Sequence, residues 1–156
     1  MQPSWSFLFR HPAHLLAFGL GSGLAPKAPG TAGTLVALPL YFLLLPLGAW
    51  YWLAVALMLL IGVWACGVAG RALGVHDHGG IVWDEIAAFL LVLPFAPQNL
   101  VGFILAFALF RLFDIWKPFP IRWFDVRVPG GIGVMLDDIL AAAYAILCLM
   151  GVAQWP

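Results

Sequence analysis

The chain has 156 residues, 64% hydrophobic and 9% charged, with a formal net charge of zero and a mean hydropathy of +1.03. A soluble domain needs charge scattered over its surface, so this composition excludes one, and the zero net charge gives nucleic acid no electrostatic hold. We expect one domain, 1–156, folded as an all-α integral membrane helical bundle with about five membrane-embedded segments, some short or re-entrant.

Arg10 and His11 are not followed by a short apolar run ending in a small-residue cleavage site, so no cleaved signal peptide is expected. Residues 28–70 form 43 consecutive uncharged positions. A crossing takes roughly 20 residues, so the stretch is read as two spans broken at Pro46–Ala49. Residues 86–110 are also uncharged, with an interruption at Pro94–Asn99, and are read as a two-helix hairpin. A helix over 81–94 rises only about 21 Å, short of the roughly 30 Å hydrocarbon core, and is expected to tilt in a thinned bilayer or insert partly. Residues 139–156 supply a last span. Cys66 and Cys148 stand alone in apolar runs and are read as core or lipid-facing, with neither a disulfide framework nor a zinc motif.

In this layout all seven Lys and Arg lie at one face, which the positive-inside tendency makes cytoplasmic. All seven carboxylates, from Asp77 to Asp138, fall there too. Ionisable groups are costly at membrane depth, which makes such clusters candidate functional sites.

Four segments could carry chemistry. In Gly19–Thr34, glycines free backbone N–H groups to face an anion, with Ser22, Thr31 and Lys27 beside them. The reading is a phosphate cradle; the alternative is a flexible re-entrant loop. In His76–Glu85, Asp84 and Glu85 flank one broad helix face and are followed by the small residues Ala87 and Ala88. Paired carboxylates bind hard cations such as magnesium, although acids in a first turn also complement the helix dipole. His76 is a candidate base, ligand or surface residue.

In the third segment Arg111 and Asp114 share a helix face, and Pro118 and Pro120 end the helix with Lys117 at its mouth. Lys117 and Arg122 are candidate phosphate clamps, whereas Arg127 and Asp125 fit a topology role. The fourth segment repeats the second: a glycine turn at Gly130–Gly131, then Asp137 and Asp138, then Ala141–Ala143. Two such helices crossing on their alanines would bring Asp84 and Glu85 to Asp137 and Asp138, where a divalent ion would offset the repulsion.

Together the segments resemble the phosphatidylglycerophosphatase A family of magnesium-dependent lipid phosphatases of the bacterial inner membrane. The resemblance rests on Gly21–Leu24, Pro29–Thr31, His76–Gly79, Ile81–Glu85, Arg111, Asp114, Trp116–Pro118, Pro120–Arg122, Gly130–Gly131 and Asp137–Asp138. It implies hydrolysis of phosphatidylglycerophosphate to phosphatidylglycerol and phosphate, with the membrane and a phospholipid as partners and magnesium as cofactor. It also implies a multi-pass protein with its site on the cytoplasmic side. Oligomeric state is left open.

The residues constrain the mechanism separately. No serine or threonine follows Thr34, and the sequence motifs of histidine-, aspartyl- and cysteinyl-phosphate enzymes are missing. A metal-activated water is the remaining nucleophile. Asp84, Glu85, Asp114, Asp137 and Asp138 are the expected ligands, with Lys117, Arg122 and Arg111 holding phosphate under the Ser22–Thr31 loop. Asp77 or His76 is the candidate acid–base group. The competing class is a small ion- or metabolite-coupled transporter, which also uses intramembrane acids. Against it, the spans show no repeat and the acids lie at one end. A structural membrane subunit, the third reading, would tolerate amides at the acid pairs.

Overall fold

Proline and glycine set the limits of most helices in the computed structural model, which describes residues 3–153. Two short helices, α1 (Trp5–Leu8) and α2 (Pro12–Ala17), lead into a tightly wound stretch at Gly19–Leu24, kinked where Leu20 and Gly21 take positive φ. Helix α3 (Pro29–Leu44) starts on a proline, and α4 (Trp50–Leu73) follows a turn in which Gly48 takes φ +56°. The break therefore falls within the expected Pro46–Ala49 segment. Helix α5 (Trp83–Val92) is separated from α6 (Leu100–Trp116) by a turn through Pro94 and Pro97. Asn99 caps α6, its side chain accepting from the Gly102 N–H at 2.8 Å. The chain ends with α7 (Ile121–Arg127) and α8 (Gly130–Ala153).

Among the described residues, three helical stretches are long and apolar enough to cross a membrane alone: Pro29–Leu47, Trp50–Leu73 and Gly130–Val152. The expected hairpin is present as the two shorter helices. At 10 residues, α5 rises only about 15 Å. Its surroundings explain how so short a helix is held: eight of its residues are buried, and it packs against α3, α4 and α8. It is the centre of the bundle, wrapped by the longer helices, so its length need not match the bilayer. Lipid contact falls instead to exposed apolar residues such as Leu43, Leu60 and Leu147.

Two differences from the sequence expectation concern α8. Gly130 does turn the chain, at φ +73°, but Gly131 already lies within the helix, so Asp137 and Asp138 sit inside it and not in its first turn. The reason is packing. Gly131 sits against the Val63 carbonyl and Gly67 of α4, and Gly62 faces Met135, so glycines let these two long helices approach closely. The alanine crossing with α5 is also present, with Ala87, Ala88, Ala141 and Ala142 fully buried. Ala143, however, is exposed.

The two uncharged turns share one end of the bundle. Tyr41 donates to Gln98 Oε1 at 3.0 Å and stacks edge-on with Tyr51, which donates to the Leu90 carbonyl at 2.6 Å. Cys66 is buried in the core, and Cys148 is half-buried.

Candidate functional site

The opposite end holds the charges, arranged in two ion-paired groups around a pair of buried aspartates. Glu85, in the first turn of α5, accepts from Arg111 of α6 at 2.5 Å, and Arg111 also reaches Asp114 Oδ2 at 2.6 Å. The second contact is the i, i+3 pairing foreseen from spacing. Thr34 Oγ1 lies 2.8 Å from both Glu85 Oε2 and the Gly30 carbonyl. With one hydroxyl proton, it donates to one of these at a time. Gly30 belongs to the same arrangement, because a Cβ there would fall 2.9 Å from Glu85 Cδ. The glycine segment is thus docked on the α5 acid pair.

The second group centres on Lys117. Its Nζ lies 2.5 Å from Asp137 Oδ2 and 3.1 Å from Asp125 Oδ1. Lys117 closes α6 in the left-handed region at φ +46°, a conformation that costs a non-glycine residue roughly 1–2 kcal/mol. Pro118 disfavours continuing the helix through Lys117, and the turn leaves the ammonium facing α7 and α8. Burial alone would lower the Lys117 pKa, but its bonds and charge pairing with Asp137 and Asp125 outweigh that and hold it raised. Asp125 was given a topology role from sequence; in the structure it is a counter-ion of Lys117.

Asp84 and Asp138 lie between these groups, 6% and 2% exposed. Asp84 feels repulsion from Glu85, Asp77 and Asp137, and Asp138 from Asp114, Asp84, Asp137 and Glu85. The two acid pairs therefore lie near enough to repel one another. Three buried atoms there have no hydrogen-bond partner among the described residues: Asp84 Oδ1, Asp138 Oδ2 and Arg111 Nε. Unsatisfied polar atoms are rare in folded chains, and buried ones are costly. Among the described residues, no three His, Cys, Asp or Glu side chains converge on a point as a ready-made metal centre. Arg111 and Lys117 act as counter-ions to Glu85, Asp114 and Asp137 in this arrangement.

Asp77 and His76 lie on the loop between α4 and α5. Asp77 is exposed. Desolvation pushes its pKa up, opposed by Lys117 and His76 and reinforced by Asp125 and Asp114. His76 Nε2 lies 3.1 Å from the Val128 carbonyl, tying this loop to the one before α8. The remaining candidates take no part in the ion-paired groups. Ser22 donates to the Gly19 carbonyl at 2.9 Å. Lys27 and Arg122 are exposed and pair with no carboxylate, and Thr31 is half-buried with no side-chain hydrogen bond, among the described residues. Sequence reading missed Thr34 as a partner of Glu85; its hydroxyl, near the start of an apolar helix, was the available signal.

An all-helical chain with spans long enough to cross a membrane and a cluster of carboxylates and paired cations at one end fits the class of enzymes acting at the lipid–water boundary. Comparisons with known proteins identify the family. The model of the family described as Phosphatidylglycerophosphatase A matches residues 15–153. Phosphatidylglycerophosphatase A of Escherichia coli is 47% identical over 94% of this chain and 87% of its own. The protein of the same name from Haemophilus influenzae is 48% identical over 93% of this chain and 91% of its own. A Bacteroides thetaiotaomicron protein, provisionally named a phosphatidylinositol-3-phosphatase, is 42% identical over 90% of this chain and 92% of its own. No solved structure matches the chain. The chain belongs to the phosphatidylglycerophosphatase A family.

Proposed function

We propose that this protein hydrolyses the terminal phosphomonoester of phosphatidylglycerophosphate, releasing phosphatidylglycerol and inorganic phosphate, with magnesium as cofactor. The single observation that carries the chemistry is three buried atoms left without a partner among the described residues: one carboxylate oxygen on each of Asp84 and Asp138, and the Arg111 Nε donor. Hard oxygens suit magnesium, which is commonly held by one or two carboxylates while water and phosphate oxygens complete its shell. Asp84 and Asp138 would hold it, with Glu85, Asp114 and Asp137 as further candidates. When bound, magnesium supplies positive charge against the phosphoryl oxygens and acidifies water.

The chain's own groups supply the rest. Arg111 and Lys117 set positive charge beside the acids, where the phosphoryl group must be held against repulsion. Arg122, Ser22, Lys27 and Thr31 are the remaining candidates for holding the substrate. Water oxygen bonds to phosphorus, the bond from phosphorus to the glycerol oxygen breaks, and that oxygen takes the proton that the water gives up, relayed by the acid–base group. Asp77, with its raised pKa, is poised to accept the water's proton, and His76 is the alternative. The active end faces the cytoplasm of a bacterial inner membrane, where the positive-inside tendency puts unpaired Lys and Arg. Nothing observed favours a transporter.

The test is phosphate release from phosphatidylglycerophosphate by purified protein in neutral detergent. Release is expected with magnesium and is expected to stop with a chelator and return on adding the metal. No release at any divalent-ion concentration would overturn the reading. Gly30 gives a finer check. Glu85 is pinned by Thr34 and Arg111 and has little room to yield, so Gly30→Ala is expected to displace its carboxylate. Misplacing a reacting group on this scale can cost about 100-fold in turnover, with helix content by circular dichroism unchanged. Wild-type turnover in Gly30→Ala would separate the glycine segment from catalysis.

A further inference from the structure

Beside the acid cluster runs an open cleft of about 620 Å³, formed where α6 turns into α7. Three cations line it, Lys117, Arg122 and Arg127, with the aromatic rings of Trp116, Phe119 and Trp123, and no carboxylate contributes to its wall. Lys117 is common to both places, its Nζ bonded to Asp137 within the acid cluster. The cleft and the cluster are therefore adjoining chambers of one site.

The cations differ in what they are given. Arg111 and Lys117 each have two carboxylates, whereas Arg122 and Arg127 have none among the described residues. Arg127 stacks over the Trp123 ring at 4.6 Å, which fixes the guanidinium without neutralising it. Ile121 anchors the start of α7 in the core, while Trp116 and Phe119 are 67% and 80% exposed. Exposed aromatics of this kind sit at headgroup level in membranes. A topology role would account for positive charge anywhere on this face, but not for a built, acid-free cleft opening onto the carboxylates.

This inference rests on the phosphatase reading above. Phosphatidylglycerophosphate carries two phosphates, the terminal monoester that is cleaved and the bridging diester one glycerol away. Only the monoester can enter the acid cluster for hydrolysis, so the diester's negative charge needs a second seat. We propose that Arg122 and Arg127 form a phosphodiester subsite, holding the bridging phosphate while the monoester reaches past Lys117 to Asp84 and Asp138. Guanidinium forks suit phosphate oxygens, and neither arginine must first be released from a carboxylate. Such a subsite selects lipids whose phosphomonoester lies beyond a phosphodiester and disfavours phosphatidate, which lacks the second phosphate.

The test splits the substrate into its halves. Phosphatidylglycerol carries the diester alone and inorganic phosphate the other half, and each is used as an inhibitor in neutral detergent micelles. The Arg122→Ala, Arg127→Ala double variant is expected to raise both the KM for phosphatidylglycerophosphate and the inhibition constant of phosphatidylglycerol about tenfold or more. Its inhibition constant for inorganic phosphate should stay that of the wild type. Oleate, an anionic lipid without phosphate, controls for general attraction of negative surfaces. Failure of phosphatidylglycerol to inhibit the wild type, equal loss of inhibition by both halves, or equal relief of oleate inhibition would each overturn the subsite. In all three cases the wild type would still release phosphate, so the phosphatase reading would stand. Absence of phosphate release from the wild type would remove that reading instead.

Discussion

Replacing Asp84 or Asp138 by asparagine is expected to lower phosphate release by about 1,000-fold or more, equivalent to roughly 4 kcal/mol of transition-state stabilisation. The same variants should fold at least as well as the parent. Each aspartate is buried among other carboxylates and leaves one oxygen unpartnered. An amide of the same shape removes that repulsion, so the thermal midpoint in magnesium-free detergent should hold or rise. Adding magnesium should raise the midpoint of the parent by mass action and leave that of the variants nearly unmoved. Loss of activity with gain of stability is the signature of acids kept for function at a cost in folding. Near-parental turnover in either variant would remove it from the ligand set. A collapse in stability would mean that the carboxylate braces the bundle.

The gathering of charge at one end was legible because the uncharged stretches leave little choice. A 43-residue charge-free run must turn in its middle, and Pro46–Ala49 is where the chain can do so. The alanines at 87–88 and 141–142 likewise indicated which helix faces meet. What spacing could not give was the partner of each charge. Arg111 and Glu85 are 26 residues apart, Lys117 and Asp137 20, and Thr34 and Glu85 51. The two Glu85 pairings follow from α5 being threaded through the middle of the bundle, and nothing in its ten residues announces that position; the third follows from α6 ending against α8. The start of α8 was half legible for a related reason. Gly130 is the turn that the sequence suggested, whereas only the backbone of α4 pressed against Gly131 accounts for the second glycine as part of a helix. Lys117 was readable as a residue at a helix mouth, because prolines act locally; the cleft beyond it was not.

Arg111→Met is expected to be the most destabilising single change at the charged end. It removes the guanidinium that both Glu85 and Asp114 contact and leaves two largely buried carboxylates without a counter-ion. Breaking a buried pair in this way costs about 3–5 kcal/mol, enough to lower the thermal midpoint by many degrees. Arg111→Lys should recover only part of the loss, since one ammonium cannot reproduce the fork that spans two acids. The informative variant is the double change, Arg111→Met with Glu85→Gln. Glutamine needs no counter-ion and still accepts from Thr34, so stability should return in good part. Activity should not, because the donor at Arg111 Nε and the charge on Glu85 are both gone. A double variant that regained stability and turnover together would reduce this pair to a brace between α5 and α6. One that regained stability alone would place the ion pair in the catalytic apparatus, with its folding role the lesser part of why the charges are there.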